Sequence, residues 1–198
     1  AGACCGLLFA PTYSEMYPPV AATTATVSGV TECMDGLARP GHFAGVATIV
    51  TKLLLQALPD VAVFGEKDYQ QLQVIKRLVH DLDIPVEIMG APIARAPDGL
   101  ALSSRNAYLT AAEREVAGQL NRILAQAGRR LRAGESIERV EATGLAAIER
   151  AGFQKTDYLE VRKPGSLERL GPGPVEGEAR ILVAAVIGKT RLIDNMAV

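Results

Sequence analysis

The stretch from Val61 to Leu82, VAVFGEKDYQQLQVIKRLVHDL, constrains the fold more than any other part of the sequence. It opens with an apolar run over residues 61–64, which is short and bulky enough to predict a buried strand. It closes with a helical pattern, in which apolar residues recur at three- and four-residue steps: Leu72, Ile75, Val79 and Leu82. The stretch therefore predicts a buried strand that leads directly into an amphipathic helix.

Between this strand and helix lies the turn Gly65-Glu66-Lys67-Asp68, in which Asp68 is placed to cap the helix. Such a turn directs backbone N–H groups and the positive end of the helix dipole at whatever lies above the strand. Lys67 adds a positive charge, and Gln71 follows one turn into the helix. The turn fits an anionic ligand. The alternative is an ordinary strand-to-helix turn with a solvated lysine, since short motifs of this kind are common.

Composition is that of a globular protein and argues against several classes of partner. Hydrophobic residues make up 48% of the 198 residues and charged residues 22%, and the formal net charge is −1. No basic field favours nucleic acid or an anionic membrane surface, and no apolar run is as long as a membrane span. Three cysteines, Cys4, Cys5 and Cys33, lack zinc-binding spacing. We therefore expect a cytoplasmic protein with reduced thiols, and we predict no metal-ligating residues.

A second candidate ligand contact precedes the helix predicted over residues 44–58. The segment Arg39-Pro40-Gly41-His42-Phe43 places a guanidinium and an imidazole at the start of this helix. In the functional interpretation, Arg39 and His42 form a second cationic helix start that faces the same ligand as Lys67. In the structural alternative, His42 only bonds to nearby backbone.

The order of predicted elements indicates two different units. Helix, strand, helix and a further strand over residues 85–89 imply a parallel sheet, and ligands of such sheets bind beyond the carboxyl ends of the strands. A short buried strand is also expected over residues 6–10. From Thr110, which opens a capping box with Glu113, two helices are expected, up to Leu131 and from Ile137 to Arg150. Three extended segments (157–162, 180–187 and 191–195) should then form an antiparallel sheet.

A loop-rich segment over residues 92–106, PIARAPDGLALSSRN, marks the expected domain boundary. Its Ser103-Ser104-Arg105 offers two hydroxyls and a guanidinium in succession, a set that suits phosphate oxygens. A serine-containing linker with a surface arginine is the alternative. We expect residues 1–93 to form the parallel-sheet domain and residues 94–198 a small α+β domain.

Five segments, in order along nearly the whole chain, resemble the pantothenate synthetase (pantoate–β-alanine ligase) family. They are FAPTYSEMYP (9–18), RPGHFAGVATIVTKL (39–53), FGEKDYQQL (64–72), PIARAPDGLALSSRNAYLT (92–110) and ILVAAVIGKTRLIDN (181–195). The resemblance implies an α/β fold, in which an incomplete Rossmann-like nucleotidylyltransferase domain precedes the α+β domain. It also implies condensation of pantoate with β-alanine through a pantoyl adenylate, with ATP as a substrate, Mg²⁺ as cofactor and a homodimeric assembly.

The resemblance also implies the roles of individual residues. The residues that match ATP-binding positions are Gly65, Glu66, Lys67, Asp68, Ala94, Leu102, Ser103, Ser104 and Arg105. Four of these, Lys67, Ser103, Ser104 and Arg105, are the expected catalytic residues. Gln71 matches a pantoate-binding glutamine, and Arg39 and His42 belong to a matching segment as further candidates.

The family pattern also includes a first strand and a turn with two histidines in a HIGH-like motif, which this sequence lacks. His42 and His80 stand in other contexts. We therefore expect the chain to correspond to the carboxyl-terminal two-thirds of such an enzyme. Two alternatives stay open at this point: a catalytically inactive fragment, and an adenylyl-transferring relative that uses another acid.

Residues 1–198 expressed alone should not catalyse pantoate-dependent exchange of pyrophosphate into ATP, because adenylation requires the HIGH-like histidines beside the phosphates, and neither His42 nor His80 is placed to replace them. The measurement is the exchange rate of a preparation whose intact mass has been verified as 20.9 kDa. A full-length family member serves as the control. Exchange by residues 1–198 at the rate of that control would contradict the expectation.

Overall fold

The computed structural model describes residues 5–198, which form two units of different architecture. The first unit contains the helices α1 (Tyr13–Met16), α2 (Asp35–Ala38), α3 (His42–Ala57) and α4 (Tyr69–Asp81) and the strands β1 (Val61–Gly65) and β2 (Glu87–Ala91). The second contains the helices α5 (Ala111–Ala117), α6 (Gln119–Arg132) and α7 (Ile137–Ala151) and the strands β3 (Lys155–Arg162), β4 (Arg180–Ile187) and β5 (Thr190–Ala197). Two 3₁₀ turns, Glu66–Asp68 and Ser104–Tyr108, complete the list. None of the helices in the described range is long and apolar enough to cross a membrane.

In the first unit, β1 pairs in parallel with β2, and α3 packs with α4 in a shared apolar core. The parallel pairing confirms the expected α/β arrangement. Leu72, Ile75 and Val79 are buried as the helical pattern predicts, whereas Leu82 lies beyond the end of α4 and is exposed. The buried residues of this core are Ala47, Val50, Leu54, Ile75, Leu78, Val79, Ile84 and Val86.

Two predictions about buried strands were wrong. Residues 6–10 form no strand, and Leu7 and Leu8 are more than 80% exposed, at 83% and 82%. β1 does form, but Val63 on one of its faces is 61% exposed. A strand of a parallel sheet is buried when other strands and helices cover it. Within residues 5–198, β1 pairs only with β2, so its hydrophobic sequence does not result in full burial.

The second unit is an antiparallel sheet in the order β3-β4-β5, as expected, with α6 and α7 packed on it. The capping box of Thr110 and Glu113 is present, and α7 ends at Gly152 in the left-handed conformation. The predicted long helix up to Leu131 is instead split into α5 and α6 at Gly118. Glycine has low helix propensity, and here a Cβ would lie 2.8 Å from the Asp98 carboxylate, so a better helix former would have to displace that carboxylate.

The two units meet through a small apolar cluster. Met34 and Tyr69 from the first unit are buried against Leu167 and Leu182 from the second. Because Tyr69 is the first residue of α4, this contact brings the carboxyl end of β1 up to the second unit.

We expect Gly144→Ala in α7 to lower the free energy of unfolding by about 1 kcal/mol, because the new Cβ would collide with the buried Leu159 side chain. The matched control is Gly45→Ala in α3, where a Cβ meets nothing and alanine is the better helix former. Urea denaturation of both variants measures the difference. Equal or greater stability of Gly144→Ala relative to the unsubstituted chain would contradict this.

Candidate active site

The turn after β1 differs from the prediction in one contact. Residues Glu66–Asp68 form a 3₁₀ turn, and Asp68 occupies the cap position of α4 without making a side-chain capping bond. Its carboxylate instead lies 3.8 Å from the Lys67 ammonium. The predicted cap was wrong because the tight turn leaves Asp68 at φ −89° and ψ 60°, outside the extended backbone usual for a capping residue.

Lys67 is not a solvated surface lysine. Its side chain is only 18% exposed and lines two small cavities. The first, of about 20 Å³, is shared with Asp68, Gln71 and His42. The second, of about 10 Å³, is shared with Ser103 and Asn106. Cavities of this size hold about one water molecule each, so a larger ligand would lie over them rather than inside them.

His42 meets Arg39 and does not supply the positive charge itself. The Arg39 Nη1 atom lies 2.9 Å from His42 Nε2. A guanidinium only donates, so Nε2 accepts and the proton of the neutral ring is on Nδ1. Burial, and then the charges of Arg39 and Arg105, lower the pKa of His42 below its usual value. The lowered pKa leaves the His42 ring uncharged at pH 7, so any positive charge at this helix start comes from Arg39, and its role toward a ligand stays a prediction.

In the serine–arginine loop, residues 103–105, the Arg105 guanidinium is near enough to His42 for its charge to lower the pKa of that ring. Ser103 lines the second Lys67 cavity, and its Oγ accepts a hydrogen bond from the Arg105 N–H at 3.3 Å. Leu102 and Ala94 are joined by a backbone hydrogen bond of 2.8 Å. Leu102, Ser104 and Arg105 are exposed. The structure thus brings Lys67, Gln71, His42 and Ser103 together, while the exposed loop residues lie around them.

Sequence reasoning missed a buried polar cluster centred on Asp35. Its Oδ1 accepts from the Tyr158 hydroxyl at 2.9 Å and from Arg191 Nη2 at 2.6 Å. The Gln70 carboxamide accepts from the Asp35 N–H at 3.0 Å. Burial, and then the nearby Asp35 charge, raise the pKa of Tyr158 far above its usual value, so its hydroxyl keeps the proton. This cluster ties α2, which precedes Arg39 and His42, to the second unit.

Two further residues that sequence reasoning missed lie next to each other on β5. Asn195 donates to the carbonyls of Glu66 and Lys67, and Asp194 forms a bidentate pair with Arg95 at 2.7 and 2.8 Å. Both belong to the segment 181–195, which was interpreted as strands and as a family-resembling segment without a role for either residue. The signal was present in the sequence, since an Asp-Asn pair directly after the apolar Leu192-Ile193 of a strand requires buried polar partners.

The possible metal ligands and the thiols of residues 5–198 do not form a common site. This part of the chain contains no group of three or more His, Cys, Asp or Glu side chains arranged to hold a metal ion. Cys5 and Cys33 are free thiols, while Cys4 lies outside the described residues. Burial is the main reason that the pKa of Cys33 is raised, which makes it a poor nucleophile.

The fold and the site define the general class of the protein. A parallel strand–turn–helix unit carries a basic turn at the carboxyl end of its strand, and an α+β unit packs against that turn. This is an α/β protein of the parallel-sheet class that binds ligands at the strand ends.

Comparisons with known proteins identify the family. The family described as Pantoate-beta-alanine ligase matches residues 1–197. Pantothenate synthetase of Caulobacter vibrioides is 59% identical over 98% of this chain and 68% of its own length. That of Rhodospirillum rubrum is 54% identical over 100% of this chain and 70% of its own length. The chain belongs to the pantoate–β-alanine ligase family, which confirms the resemblance seen in the sequence.

Solved structures agree with this assignment. The crystal structure of pantothenate synthetase from Thermus thermophilus superposes with a TM-score of 0.90 and 45% identity, covering 96% of this chain and 69% of that one. Pantoate-beta-alanine ligase from Francisella tularensis, solved with beta-gamma ATP and beta-alanine, has a TM-score of 0.72 and 33% identity. It matches 92% of this chain and 61% of its own length.

Replacing Arg39 by glutamine should raise the pKa of His42, because the substitution removes a positive neighbour that disfavours the imidazolium. NMR titration of the imidazole measures the change. Arg77→Gln, which removes an exposed arginine of α4 paired with Asp81, is the control and should leave His42 unchanged. A pKa of His42 that stays the same or falls in Arg39→Gln would contradict the assignment.

Proposed function

We propose that the protein joins pantoate to β-alanine at the expense of ATP, through a pantoyl adenylate. The observation that carries this proposal is the crevice at the end of β1. Within a chain of the ligase family, Lys67 shares this crevice with Gln71 on one side and with Ser103 on the other. The Lys67 ammonium and the Ser103 hydroxyl suit the oxygens of a phosphate group. The Gln71 carboxamide beside them suits the hydroxyl groups of pantoate.

The proposed reaction has two steps. In the first, a pantoate carboxylate oxygen attacks the α-phosphorus of ATP, and the bond to the bridging oxygen breaks to release pyrophosphate. In the second, the β-alanine amine attacks the acyl carbon, the acyl–phosphate bond breaks, and AMP leaves as the amine loses a proton. Adenylation is needed because a carboxylate is a poor electrophile, and fixed cations stabilise the charge that spreads over the phosphate oxygens.

The proposed roles divide the site between the two units. Lys67, Ser103, Ser104 and Arg105 contact the phosphates and stabilise their charge. The remaining ATP contacts are Gly65, Glu66, Asp68, Ala94 and Leu102. Gln71, which lines the same cavity as Lys67, binds pantoate through its carboxamide. Arg39 supplies positive charge for a substrate carboxylate, with the neutral His42 ring as its hydrogen-bonding partner.

Mg²⁺ fits this site as an ion that arrives on the ATP phosphates. Mg²⁺ often keeps several waters and uses substrate phosphates with one or two carboxylates, so it does not require a cage of protein ligands. The absence of such a cage among residues 5–198 is compatible with this mode of binding. When bound, the ion neutralises phosphate charge and so favours attack at the α-phosphorus.

The proposal also covers organisation and assembly. The separate apolar cores support a division into domains 1–93 and 94–198, with the boundary in the loop that carries the serine–arginine segment. Exposed apolar side chains at the end of α3, Leu55 and Leu58, support a homodimer. The free thiols of Cys5 and Cys33 support a cytoplasmic location. Sedimentation equilibrium measures the state of assembly directly.

Lys67→Ala in a full-length enzyme that carries these residues should slow formation of pantoyl adenylate by about 10²- to 10³-fold, the usual cost of losing one well-placed donor. Single-turnover measurement with ATP and pantoate follows this step directly. Lys76→Ala, on the exposed face of α4, is the control and should leave the rate unchanged. An unchanged rate for Lys67→Ala would contradict the role, and an unsubstituted enzyme that adenylates another acid in preference to pantoate would contradict the proposed substrate.

A further inference from the structure

The last strand, β5, connects to three separate segments of the site through polar side chains. Arg191 contacts Asp35 ahead of the Arg39–His42 segment, Asp194 contacts Arg95 in the loop 94–106, and Asn195 contacts the turn at Lys67. Asp194 and Asn195 are almost fully buried, at 4% and 2% exposure. Polar residues at such positions require a reason beyond packing, because a hydrophobic pair would fill the same strand at no desolvation cost.

The Asn195 carboxamide is bonded on both sides. Its Nδ2 atom donates to the Glu66 carbonyl at 2.9 Å and to the Lys67 carbonyl at 3.0 Å. Its Oδ1 atom accepts from Arg180 on the neighbouring strand β4. The Arg180 guanidinium in turn lies 3.9 Å from the centre of the Tyr69 ring, directly after the turn. Because Asn195 binds the carbonyls of the turn, it does not occupy the backbone N–H groups that would meet an anion.

The neighbouring Asp194 holds the other half of the proposed phosphate site. Its two oxygens accept from Arg95 at 2.7 and 2.8 Å, and Arg95 also donates to the Gly99 carbonyl at 2.9 Å. Arg95 therefore fixes the turn of the loop that leads to Ser103. One oxygen of Asp194 additionally accepts from the Asn195 N–H at 2.7 Å, so the two anchor residues are held to each other.

We propose that Asn195 is a positioning residue for adenylation. Together with Asp194 it anchors the Lys67 turn and the serine–arginine loop to the same strand, β5, and so fixes the distance between them. The inference rests on the proposed function. The two segments that bind the same phosphates come from different units. The distance between them therefore depends on the element to which both are bonded, which is β5. A misplacement of about 1 Å at a reacting centre can reduce the rate by about 100-fold.

Two substitutions of Asn195 separate positioning from charge and size. Asn195→Asp keeps the shape and the acceptor for Arg180, but it replaces the two donated bonds by repulsion between a carboxylate and two carbonyls. Asn195→Leu removes the same bonds without adding a charge. In a full-length enzyme, both should lower kcat of pantoate-dependent pyrophosphate exchange by about 10- to 100-fold while KM for ATP changes less than about threefold.

The control is a carboxylate-to-amide substitution at a distant buried site, Glu141→Gln. Glu141 is 8% exposed, accepts from the Val161 N–H at 2.7 Å and pairs with Arg169 in the second unit. This variant should lower Tm and leave kcat unchanged, because it weakens the same unit without touching the turn. Hydrogen exchange of the peptide around residues 65–70 adds a readout that needs no catalysis. It should become faster in both Asn195 variants and not in Glu141→Gln.

The outcomes are distinct. A selective loss of kcat with faster exchange at residues 65–70 supports positioning. An unchanged kcat, or a loss of kcat that Glu141→Gln reproduces at the same loss of Tm, overturns it. If the unsubstituted enzyme shows no pantoate-dependent exchange, the proposed function fails, and hydrogen exchange alone then decides whether Asn195 holds the turn. Unchanged hydrogen exchange in the Asn195 variants overturns the inference in that case as well.

Discussion

The two hydrogen bonds from the Asn195 carboxamide to the Glu66 and Lys67 carbonyls are the contact on which the geometry of the site depends. The turn follows a strand that pairs on one side only within residues 5–198 and is partly exposed. The other unit adds rigidity to the turn through a donor group that is buried, where water does not compete for its bonds.

Apolar and polar contacts make different contributions to the interface between the two units. The cluster of Met34, Tyr69, Leu167 and Leu182 removes apolar surface from water, which favours contact without fixing its direction. The Asp35–Arg191 pair fixes how the two units are oriented relative to each other. A buried ion pair contributes little net stability after its desolvation cost, but breaking one partner is costly. Such pairs therefore specify how the units meet more than how strongly they adhere.

Local signals in the sequence predicted most of the fold. The 3.6-residue periodicity, the capping box of Thr110 and Glu113, and Gly152 depend on near neighbours, and each feature is present. Most failures depended on distant partners: the burial of β1, the strand at residues 6–10 and the break at Gly118. The Asp68 cap failed for a local reason, since the tight turn holds its backbone outside the extended region. For the site, the sequence placed Lys67 and Gln71 at the same turn and helix start, and one of its two interpretations of His42 directed that residue to the same ligand; the three residues line one cavity. It did not predict Asp35, Tyr158, Arg191, Asp194 and Asn195, whose polar partners are distant in sequence or invisible to periodicity.

The wide sequence separation of these anchors has a consequence for how the molecule folds. The Asn195 bonds span 129 and 128 residues, and the Arg191–Asp35 pair spans 156. Contacts of such length incur a large loop-closure cost and form slowly compared with helices and hairpins. During synthesis, the turn at Lys67 emerges long before the strand that holds it. Its helix and strand can therefore acquire their secondary structure early, while the alignment of the proposed phosphate site is among the last features of the native state to form.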